Sequence, residues 1–297
     1  MRVFIFSYNR GAYLRNAVES VRRHMPFAQV TVMDDRSDDP DTRAVLAALP
    51  VEVLTAPAPG AEHAVTGGLH GGMNRALDLA EAEGQTVVLM LQDDMMLVRD
   101  VARAELDAAV AQFDRADASF VLGVTFAKTR RGARDIGLVL DGGVYRRPEA
   151  AAVSGAHCAY GDTGLFHIPR LRATLGRLEQ GEKENEARAR ALGLRMGSLV
   201  FPFAHWLPFP VSWRGRKRVW RLRLLDLVCG AGVHVIAPLQ GERLRRFLDR
   251  DPGDLPFAED WLTAPTAPQA LYWSLRGGAQ NGLARGGWRS TLARRLR

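Results

Sequence analysis

The sequence predicts an α/β protein in which helices flank a mostly parallel sheet, followed by an irregular basic C-terminal extension. Over about the first 125 residues, short apolar runs alternate with segments whose apolar residues recur at helical spacing. The links between these segments are short, as expected of a parallel sheet that is covered on both faces. Beyond Thr125 the alternation stops, and arginine becomes frequent after residue 213.

The first three strands are predicted from continuous apolar runs, which are typical of strands buried on both faces. They are Val3 to Phe6, Val30 to Met33 and Val51 to Leu54. Helical spacing of apolar residues after Gly11 predicts an amphipathic helix between the first two. The turn and capping residues 38–41 then introduce a short helix before the third strand.

Further segments follow in the same order. A glycine-punctuated stretch over Gly67 to Gly72 leads into a helix from about Met73 to Glu83. Next come a strand, a helix and a strand, at Val87 to Leu91, around Leu106 to Phe113, and at Phe120 to Val124. Later segments are predicted as a strand and turn at 142–145, a strand at 161–168, and helices at 182–192 and 243–248.

Composition excludes several classes of protein. With 297 residues and 47% apolar composition, the chain is neither disordered nor collagen-like. The sequence has no uninterrupted run of eighteen apolar residues, the length expected of a membrane-spanning helix. Its N-terminus lacks the apolar region of a secretory signal. We therefore expect a cytoplasmic protein. Cys158 and Cys229 are expected to be buried small hydrophobes.

The net charge of +7 is unevenly distributed. From Arg214 onward there are 16 Lys and Arg against 7 Asp and Glu, so the rest of the chain is slightly acidic. Arginine binds phosphates and anionic headgroups through its forked donors. An arginine-rich genome would give the same bias, and both explanations remain open at this stage.

Two pairs of acidic residues stand directly after predicted strands, Asp34-Asp35 after the second and Asp93-Asp94 after the fourth. The carboxyl ends of parallel strands share one edge of the sheet, where such sheets bind ligands. Converging carboxylates repel each other unless a cation or donor groups compensate them. A divalent ion that holds a diphosphate is the economical explanation; ordinary loop or capping residues are the alternative, weaker for the second pair because Met95 to Val98 continues apolar.

Four segments in this part of the chain carry a family resemblance. They are Phe6 to Arg10, Val32 to Ser37, Asn74 within its helix, and Leu91 to Asp94. In order, spacing and strand context they resemble the family 2-type glycosyltransferases of the GT-A fold, over residues 1–125 and more loosely to about 197. The resemblance implies a nucleotide-sugar-binding half at 1–125, an acceptor-side half at 126–212 and a basic extension at 213–297.

The resemblance also implies a donor site. Its residues would be Ser7, Tyr8, Arg10, Asp35, Asn74 and Asp93, with Asp162 a candidate for the sugar hydroxyls. In this assignment the ring of Tyr8 stacks on the base and Asp35 accepts a hydrogen bond from it, which favours a UDP-sugar. Asp94 corresponds to the metal-ligating acid, with Mn²⁺ or Mg²⁺ as the metal. Gln92 stands where many members carry a first Asp, which leaves the number of protein ligands open.

The base and a further metal ligand are also implied by the resemblance. Inverting transfer requires a carboxylate that takes the acceptor proton, and the matching segment offers Glu184, with Glu182 in reserve. First-turn acids that complement a helix dipole are the alternative. Glu259-Asp260 is a late acidic pair that we expect to be a loop or a cap. His205 is a candidate third metal ligand, although a lone histidine among aromatic residues is more often structural.

The predicted function is therefore inverting, metal-dependent transfer of a sugar from a nucleotide-sugar donor to a glycan or lipid-linked acceptor. Residues 213–223 mix arginine with tryptophan, which suits an anionic membrane surface; a solvated face is the alternative, and no nucleic-acid-binding motif is found. Two rival functions stay open. One is a sugar-phosphate nucleotidyltransferase, although such enzymes usually have a glycine-rich loop where this chain has Ser7 to Arg10; the other is a GT-A domain that binds a nucleotide sugar or glycan without catalysis.

Overall fold

The computed structural model describes residues 1–57, 68–128, 137–148, 158–211 and 220–268. Within these ranges the chain forms a nine-stranded mixed sheet, a separate two-stranded ribbon and flanking helices. The α/β class with helices flanking the sheet is thereby confirmed. Seven predicted segments overlap the observed strands β1, β2, β3, β4, β6, β8 and β9.

The strands are bounded as follows: β1 Arg2–Ser7, β2 Gln29–Asp34, β3 Glu52–Thr55, β4 Val87–Gln92, β5 Met95–Leu97, β6 Ala118–Gly123, β7 Val139–Asp141, β8 Val144–Arg146, β9 Gly164–His167, β10 Arg195–Leu199 and β11 Ala204–Trp206. The helices are α1 Gly11–His24, α2 Pro40–Ala48, α3 Leu69–Ala82, α4 Arg103–Val110, α5 Ile168–Thr174, α6 Glu182–Ala191, α7 Trp220–Cys229, α8 Gly241–Leu248 and α9 Ala258–Trp261. A 3-10 turn, Ala111–Asp114, follows α4.

The first four strands of the main sheet are parallel and lie in the order β3-β2-β1-β4. Ser7 at the end of β1 pairs with Asp34 on one side, and Phe6 pairs with Gln92 on the other. The loops that follow these three strands therefore leave the sheet at one edge. This register brings both predicted acidic pairs to that edge.

The second half of the sheet is mixed. Strand β9 lies between β4 and β6 and is antiparallel to both, whereas β10 is parallel to β6 and antiparallel to β8. Within the described nine-stranded sheet, four pairings are parallel and four are antiparallel. A parallel pair needs a long crossover, usually a helix. Beyond β6 the chain forms the β7–β8 hairpin instead. Of the nine strands described in this sheet, only β8 and β9 run opposite to the others, so the predicted mostly parallel sheet is confirmed.

Apolar residues cover both faces of the sheet. Val3 and Ile5 of β1 belong to a core on the side of α1, and Phe4 and Phe6 belong to a core on the side of α3. Alternate residues of a strand point to opposite faces, so a strand covered on both sides must be apolar throughout. This is why the continuous apolar runs predicted these strands correctly.

Part of the predicted extension packs against the rest of the chain. Phe247 of α8, Ile236 and Leu262 are buried in a third core with Met96 and Val98 of the β5 region. The described residues beyond 220 thus share a core with the N-terminal half. None of the helices that the structure describes is both long and apolar enough to cross a membrane.

Two smaller expectations need correction or lie outside the described residues. Cys158 is only partly buried, whereas a buried thiol was expected. Burial nevertheless raises the pKa of its thiol, with Glu186 adding to the shift. The side chain of Cys229, together with Gly67 and most of the basic segment at 213–223, is not among the residues that the structure describes.

Candidate active site

The loops after β1 and β2 are joined by one asparagine. Asn9 has a left-handed backbone, with φ at 53°, a conformation that Asn tolerates better than most residues. Its side-chain oxygen accepts hydrogen bonds from the backbone amides of Asp38 and Asp39, at 2.9 and 3.0 Å. The backbone amide of Asn9 donates to Oγ of Ser37 at 2.9 Å. These hydrogen bonds therefore join the two loops into one rim at the carboxyl edge.

The acidic pair after β2 accepts hydrogen bonds from neutral donors. Asp34 is buried and accepts hydrogen bonds from the amide and hydroxyl of Ser37, at 3.0 and 2.6 Å. Asp35 accepts one from the amide of Gly68 at 3.0 Å, next to the start of α3. Burial raises the pKa of Tyr8, and the carboxylates of Asp38 and Asp35 add to this effect. The Tyr8 side chain is thus close enough to these carboxylates to feel their negative charge.

The acidic pair after β4 is compensated by an arginine. Nη1 of Arg10 lies 2.9 Å from Oδ2 of Asp94 and 3.4 Å from Oδ1 of Asp93. The same guanidinium donates to the carbonyl of Val211 at 3.2 Å and lies 5.7 Å from the ring centre of Tyr13. Burial by itself would lower the pKa of Arg10, but the two carboxylates raise it above its ordinary value, so the side chain stays charged.

Asp93 is held within the edge of the sheet. Oδ2 lies 3.4 Å from both Oγ of Ser7 and the amide of Tyr8. Burial raises the pKa of Asp93 to about 7; Arg10 opposes this shift and Asp94 adds to it. Ser7 and Tyr8, which were assigned to the donor site from sequence, thus also contact one of the acids.

Asp94 meets the requirements of a cation ligand. Its Oδ1 is buried and has no hydrogen-bond partner. Mg²⁺ typically binds through one or two carboxylates together with substrate phosphates and water, rather than through an all-protein cage. Among the described residues no group of three His, Cys, Asp or Glu side chains is arranged to hold a metal. A metal that is shared between Asp94 and a diphosphate fits this arrangement.

His205 is placed in the core. It lies on β11 opposite Met96, is fully buried, and has its ring 6.0 Å from that of Phe126 and 5.6 Å from that of Trp206. Burial, helped by the charge of Lys128, lowers its pKa well below the usual range. It is not among the residues that line the cavity beside Asp94. The structure therefore does not bring it into a shared ligand group with Asp94.

A cavity of about 390 Å³ opens beside Asp94. Its wall combines residues from β4, β8, β10 and the loop before β9, so it spans both halves of the sheet. The charged side chains that line it are Asp94, Lys128, Arg147, Asp162 and Glu182. Trp206 lies in the same wall, with its ring 4.4 Å from Nζ of Lys128. Three carboxylates and two cations from separate parts of the chain thus surround one space.

Asp162 is oriented by a histidine. Nε2 of His70, in the first turn of α3, lies 3.1 Å from Oδ1 of Asp162. Tyr160 lies nearby, with its ring 6.4 Å from that of His70. Burial raises the pKa of Tyr160 well above its ordinary value, and Asp162 adds to the shift. The phenol therefore stays protonated and neutral beside the carboxylate.

The structure separates the two candidate bases. Glu182, the first residue of α6, lines the cavity, whereas Glu184 is exposed and folds back over Gly181. Asn185 is fully buried and bonds to the backbone of Glu179 and Gly181, which fixes the start of the helix. The residue preferred from sequence is thus on the outside of the site, and its reserve is inside.

Asn74 is used internally. Its amide donates to the carbonyl of Leu178 and accepts from the amide of the same residue, at 2.9 and 3.0 Å. Both polar groups of this buried side chain are therefore engaged in holding the loop before α6. Asn74 positions the segment that leads to Glu182 instead of facing the cavity.

Sequence reasoning missed two of the charged residues that line the cavity, Lys128 and Arg147, and also His70, which contacts Asp162. Lys128 is one of only three lysines in the chain, which was a usable signal. A second, larger cavity of about 820 Å³ is lined by residues 242–261 and contains none of the proposed donor, metal or base residues. Asp260 of the late acidic pair lies there, away from the acids at the sheet edge.

The N-terminal part of the chain matches a known protein family. Residues 2–134 match the family described as Glycosyl transferase family 2. The resemblance predicted from the four segments is confirmed over this range, which holds Ser7, Arg10, Asp35 and both acids after β4. No curated protein gives a significant match.

Several solved structures are similar to this chain at low identity. TarS 1-349 from S. aureus is 17% identical over 67% of this chain and 57% of its own, with a TM-score of 0.44. A further S. aureus TarS structure is 16% identical over 78% and 40%, with a TM-score of 0.46. The mannosyltransferase PcManGT from Pyrobaculum calidifontis, in complex with GDP-Man and Mn²⁺, is 14% identical over 77% and 60%, with a TM-score of 0.41. The chain spans 40% to 60% of the length of these proteins.

Proposed function

We propose, on the premise that residues 2–134 form a glycosyl transferase family 2 domain, that the protein transfers a sugar from a nucleoside diphosphate to a hydroxyl acceptor. The donor is a UDP-sugar, the transfer inverts the anomeric configuration, and the acceptor is a glycan or a lipid-linked glycan. A divalent ion, Mn²⁺ or Mg²⁺, assists the reaction.

One observation carries this proposal. Asp94 from the parallel edge shares a cavity with Asp162 and Glu182 from the other half of the sheet. Sugar transfer needs three different tasks from such a space, namely charge compensation at the leaving diphosphate, recognition of sugar hydroxyls, and removal of the acceptor proton. Three carboxylates that reach the cavity from different elements can be divided among these tasks.

Glu182 is the proposed base. In an inverting transfer the acceptor hydroxyl attacks the anomeric carbon from the side opposite the leaving group, and a carboxylate within hydrogen-bond reach takes its proton. Glu182 lines the cavity and stands at the N-terminus of α6, where the helix dipole favours the ionised form of an acid. This assignment replaces Glu184, which is exposed.

Asp94 is the proposed metal ligand, through the buried Oδ1 that has no hydrogen-bond partner. When bound, the divalent ion supplies compensation for the charge that develops on the leaving diphosphate. Lys128 and Arg147 add positive charge to the wall of the same cavity, which supports binding of an anionic donor. Asp162, oriented by His70, accepts hydrogen bonds from hydroxyls of the donor sugar.

The nucleoside would lie along the rim formed by the loops after β1 and β2. The ring of Tyr8 stacks on the base, and Asp35 accepts a hydrogen bond from it. The acceptor side is less constrained, since residues 212–219 lie outside the described residues. We assign residues 213–223 to an anionic membrane surface because they mix arginine and tryptophan.

Calorimetric titration tests the donor site. The protein is titrated with UDP, GDP and dTDP, each with and without Mn²⁺, together with the variants Asp94→Ala and Asp107→Ala. Asp107 is an exposed residue of α4 and serves as the matched control. We expect metal-dependent binding of UDP that is lost in Asp94→Ala and kept in Asp107→Ala.

Other results would change the assignment. Absence of binding by all three nucleotides would overturn the donor site. Binding of GDP or dTDP in place of UDP would keep the transferase and correct the base. Metal-dependent binding of UDP without turnover of any UDP-sugar, in the presence of glycan acceptors, would favour the non-catalytic alternative.

A further inference from the structure

Arg10 is the one basic side chain bonded to the acidic pair after β4 among the described residues. All three side chains are nearly buried, with 8% of Arg10, 8% of Asp93 and 9% of Asp94 exposed. Two neighbouring carboxylates that are withheld from water carry a large desolvation cost unless a cation pairs with them. The guanidinium of Arg10 supplies that charge in the structure as described.

The pairing leaves Asp94 only half satisfied. Oδ2 of Asp94 accepts from Arg10 at 2.9 Å, while Oδ1 is buried without a partner. This orphaned oxygen lies on the same carboxylate that lines the cavity. A second cation approaching Asp94 from the cavity therefore meets a carboxylate whose charge is already partly compensated by Arg10.

The guanidinium is held in place from behind. Its Nη2 donates to the carbonyl of Val211 at 3.2 Å, and its plane lies near the ring of Tyr13. The amide of Val211 donates to the hydroxyl of Tyr13 at 3.0 Å, and the carbonyl of Asp94 accepts from Leu207 at 2.7 Å. These two contacts do not involve Arg10, so segment 207–211 keeps its anchors if the guanidinium turns away.

We propose that Arg10 is an internal counter-cation that competes with the divalent ion for Asp94. A metal ion alone meets a carboxylate that Arg10 already partly neutralises, and it is repelled by the guanidinium, so it binds weakly. A nucleoside diphosphate changes this balance, because its oxygens offer the guanidinium a new partner in bidentate geometry. Metal and donor thus enter together, and this coupling rests on the proposed function.

The experiment removes the counter-cation and measures metal binding without nucleotide. In Arg10→Gln we expect Mn²⁺ alone to bind at least about tenfold more tightly than in the wild-type protein, by calorimetry and by loss of the free-Mn²⁺ EPR signal. The variant should unfold at a lower temperature than wild type, and Mn²⁺ should restore more of its Tm than it adds to wild type. The double variant Arg10→Gln/Asp94→Asn should lose this response.

Arg99 provides the matched control. It is also a buried arginine, 2% exposed, and it pairs with Glu105 at 2.8 Å away from the cavity. Arg99→Gln should lower Tm without any added response to Mn²⁺. Arg10→Lys keeps the charge but cannot bond to the two carboxylates and Val211 at once. It should bind Mn²⁺ with an affinity between those of wild type and Arg10→Gln. This variant also tests the proposal if Arg10→Gln does not fold.

Equal or weaker Mn²⁺ binding in both Arg10 variants would overturn the inference, as would equal rescue of Arg99→Gln by Mn²⁺. No nucleotide enters this measurement, so its outcome is independent of the titration that tests the donor site. If UDP binds with metal while the Arg10 variants gain no Mn²⁺ affinity, only the proposed competition between Arg10 and the metal is overturned. If the variants gain Mn²⁺ affinity while no nucleotide binds, the proposed function and the coupling of metal to donor are both overturned, and the competition between Arg10 and the metal for Asp94 still stands.

Discussion

His70 and Asp162 meet across 92 residues of sequence, with Nε2 of the histidine 3.1 Å from Oδ1 of the carboxylate. The contact joins the first turn of α3 to the loop before β9, and Asp162 lines the cavity. Both side chains are largely buried, at 7% and 13% exposure. His70 therefore acts as a positioning residue that aims Asp162 into the cavity.

Replacing His70 should weaken recognition of the sugar and spare the nucleotide. A hydrogen bond to a charged group contributes about 1.5–3 kcal/mol, so His70→Ala should lower affinity for the bound UDP-sugar by about tenfold or more. Affinity for UDP should stay unchanged, because UDP lacks the transferred sugar that Asp162 is proposed to contact. Calorimetry with both ligands gives the comparison, and Asp162→Asn should behave alike. An equal loss for UDP would assign His70 a structural role only.

The two glutamates of α6 should differ sharply. Glu182→Gln removes the proposed base and should lower kcat by about 100- to 10,000-fold, the usual contribution of a general base. Binding of UDP should be unaffected in this variant. The exposed Glu184→Gln is the control, and its rate should stay within about twofold of wild type. Initial rates of transfer or donor hydrolysis measure both; a loss in Glu184→Gln alone would return the base to that residue.

The parallel strands could be predicted from sequence because burial on both faces leaves a continuous apolar run in the local sequence. Val87 to Leu91 must be apolar at every position, since both faces of β4 are covered. Strands β5 and β11 could not be found in this way. Each has three residues, and their pairing joins Met95 to Trp206 across more than a hundred residues. A strand this short leaves no periodicity to detect.

In the candidate site, too, the features that depend on local sequence were predicted and those that depend on long-range packing were not. Its acidic pairs were predicted from position, because the ends of parallel strands share an edge. The choice between Glu182 and Glu184 depended on how α6 docks, which the local sequence does not encode. The contact of Arg10 with Asp94 likewise requires β1 and β4 to be neighbours in the sheet. Long-range pairing therefore decides the details that sequence reasoning left open.

Asp93 should make folding stability depend on pH. Burial raises its pKa from 3.8 to about 7 in the folded protein, so between these values the folded state holds a proton that the unfolded state has lost. The contribution of Asp93 to the free energy of unfolding is then favourable at low pH and falls as pH rises toward 7. Asp93→Asn imitates the protonated form and should remove this loss.

Urea unfolding at pH 5 and pH 8.5 measures the effect as a difference between variants. Relative to wild type, Asp93→Asn should gain more than about 1 kcal/mol between the two pH values, since one pKa unit corresponds to about 1.4 kcal/mol. The exposed Asp107→Asn should show no such change. A constant difference between Asp93→Asn and wild type at both pH values would contradict the raised pKa.

Gly164, the first residue of β9, should tolerate no side chain. Its φ is +136°, and a Cβ atom would lie 2.3 Å from the carbonyl oxygen of Leu122 in the neighbouring β6. Gly164→Ala combines backbone strain with a backbone clash and should destabilise the protein by about 3 kcal/mol or more. Gly84→Ala is the matched control, because φ is +72° there and no atom lies within 4 Å of the added Cβ; it should cost about 1 kcal/mol. Equal losses for the two variants in urea unfolding would show that β6 and β9 can separate to admit the methyl group.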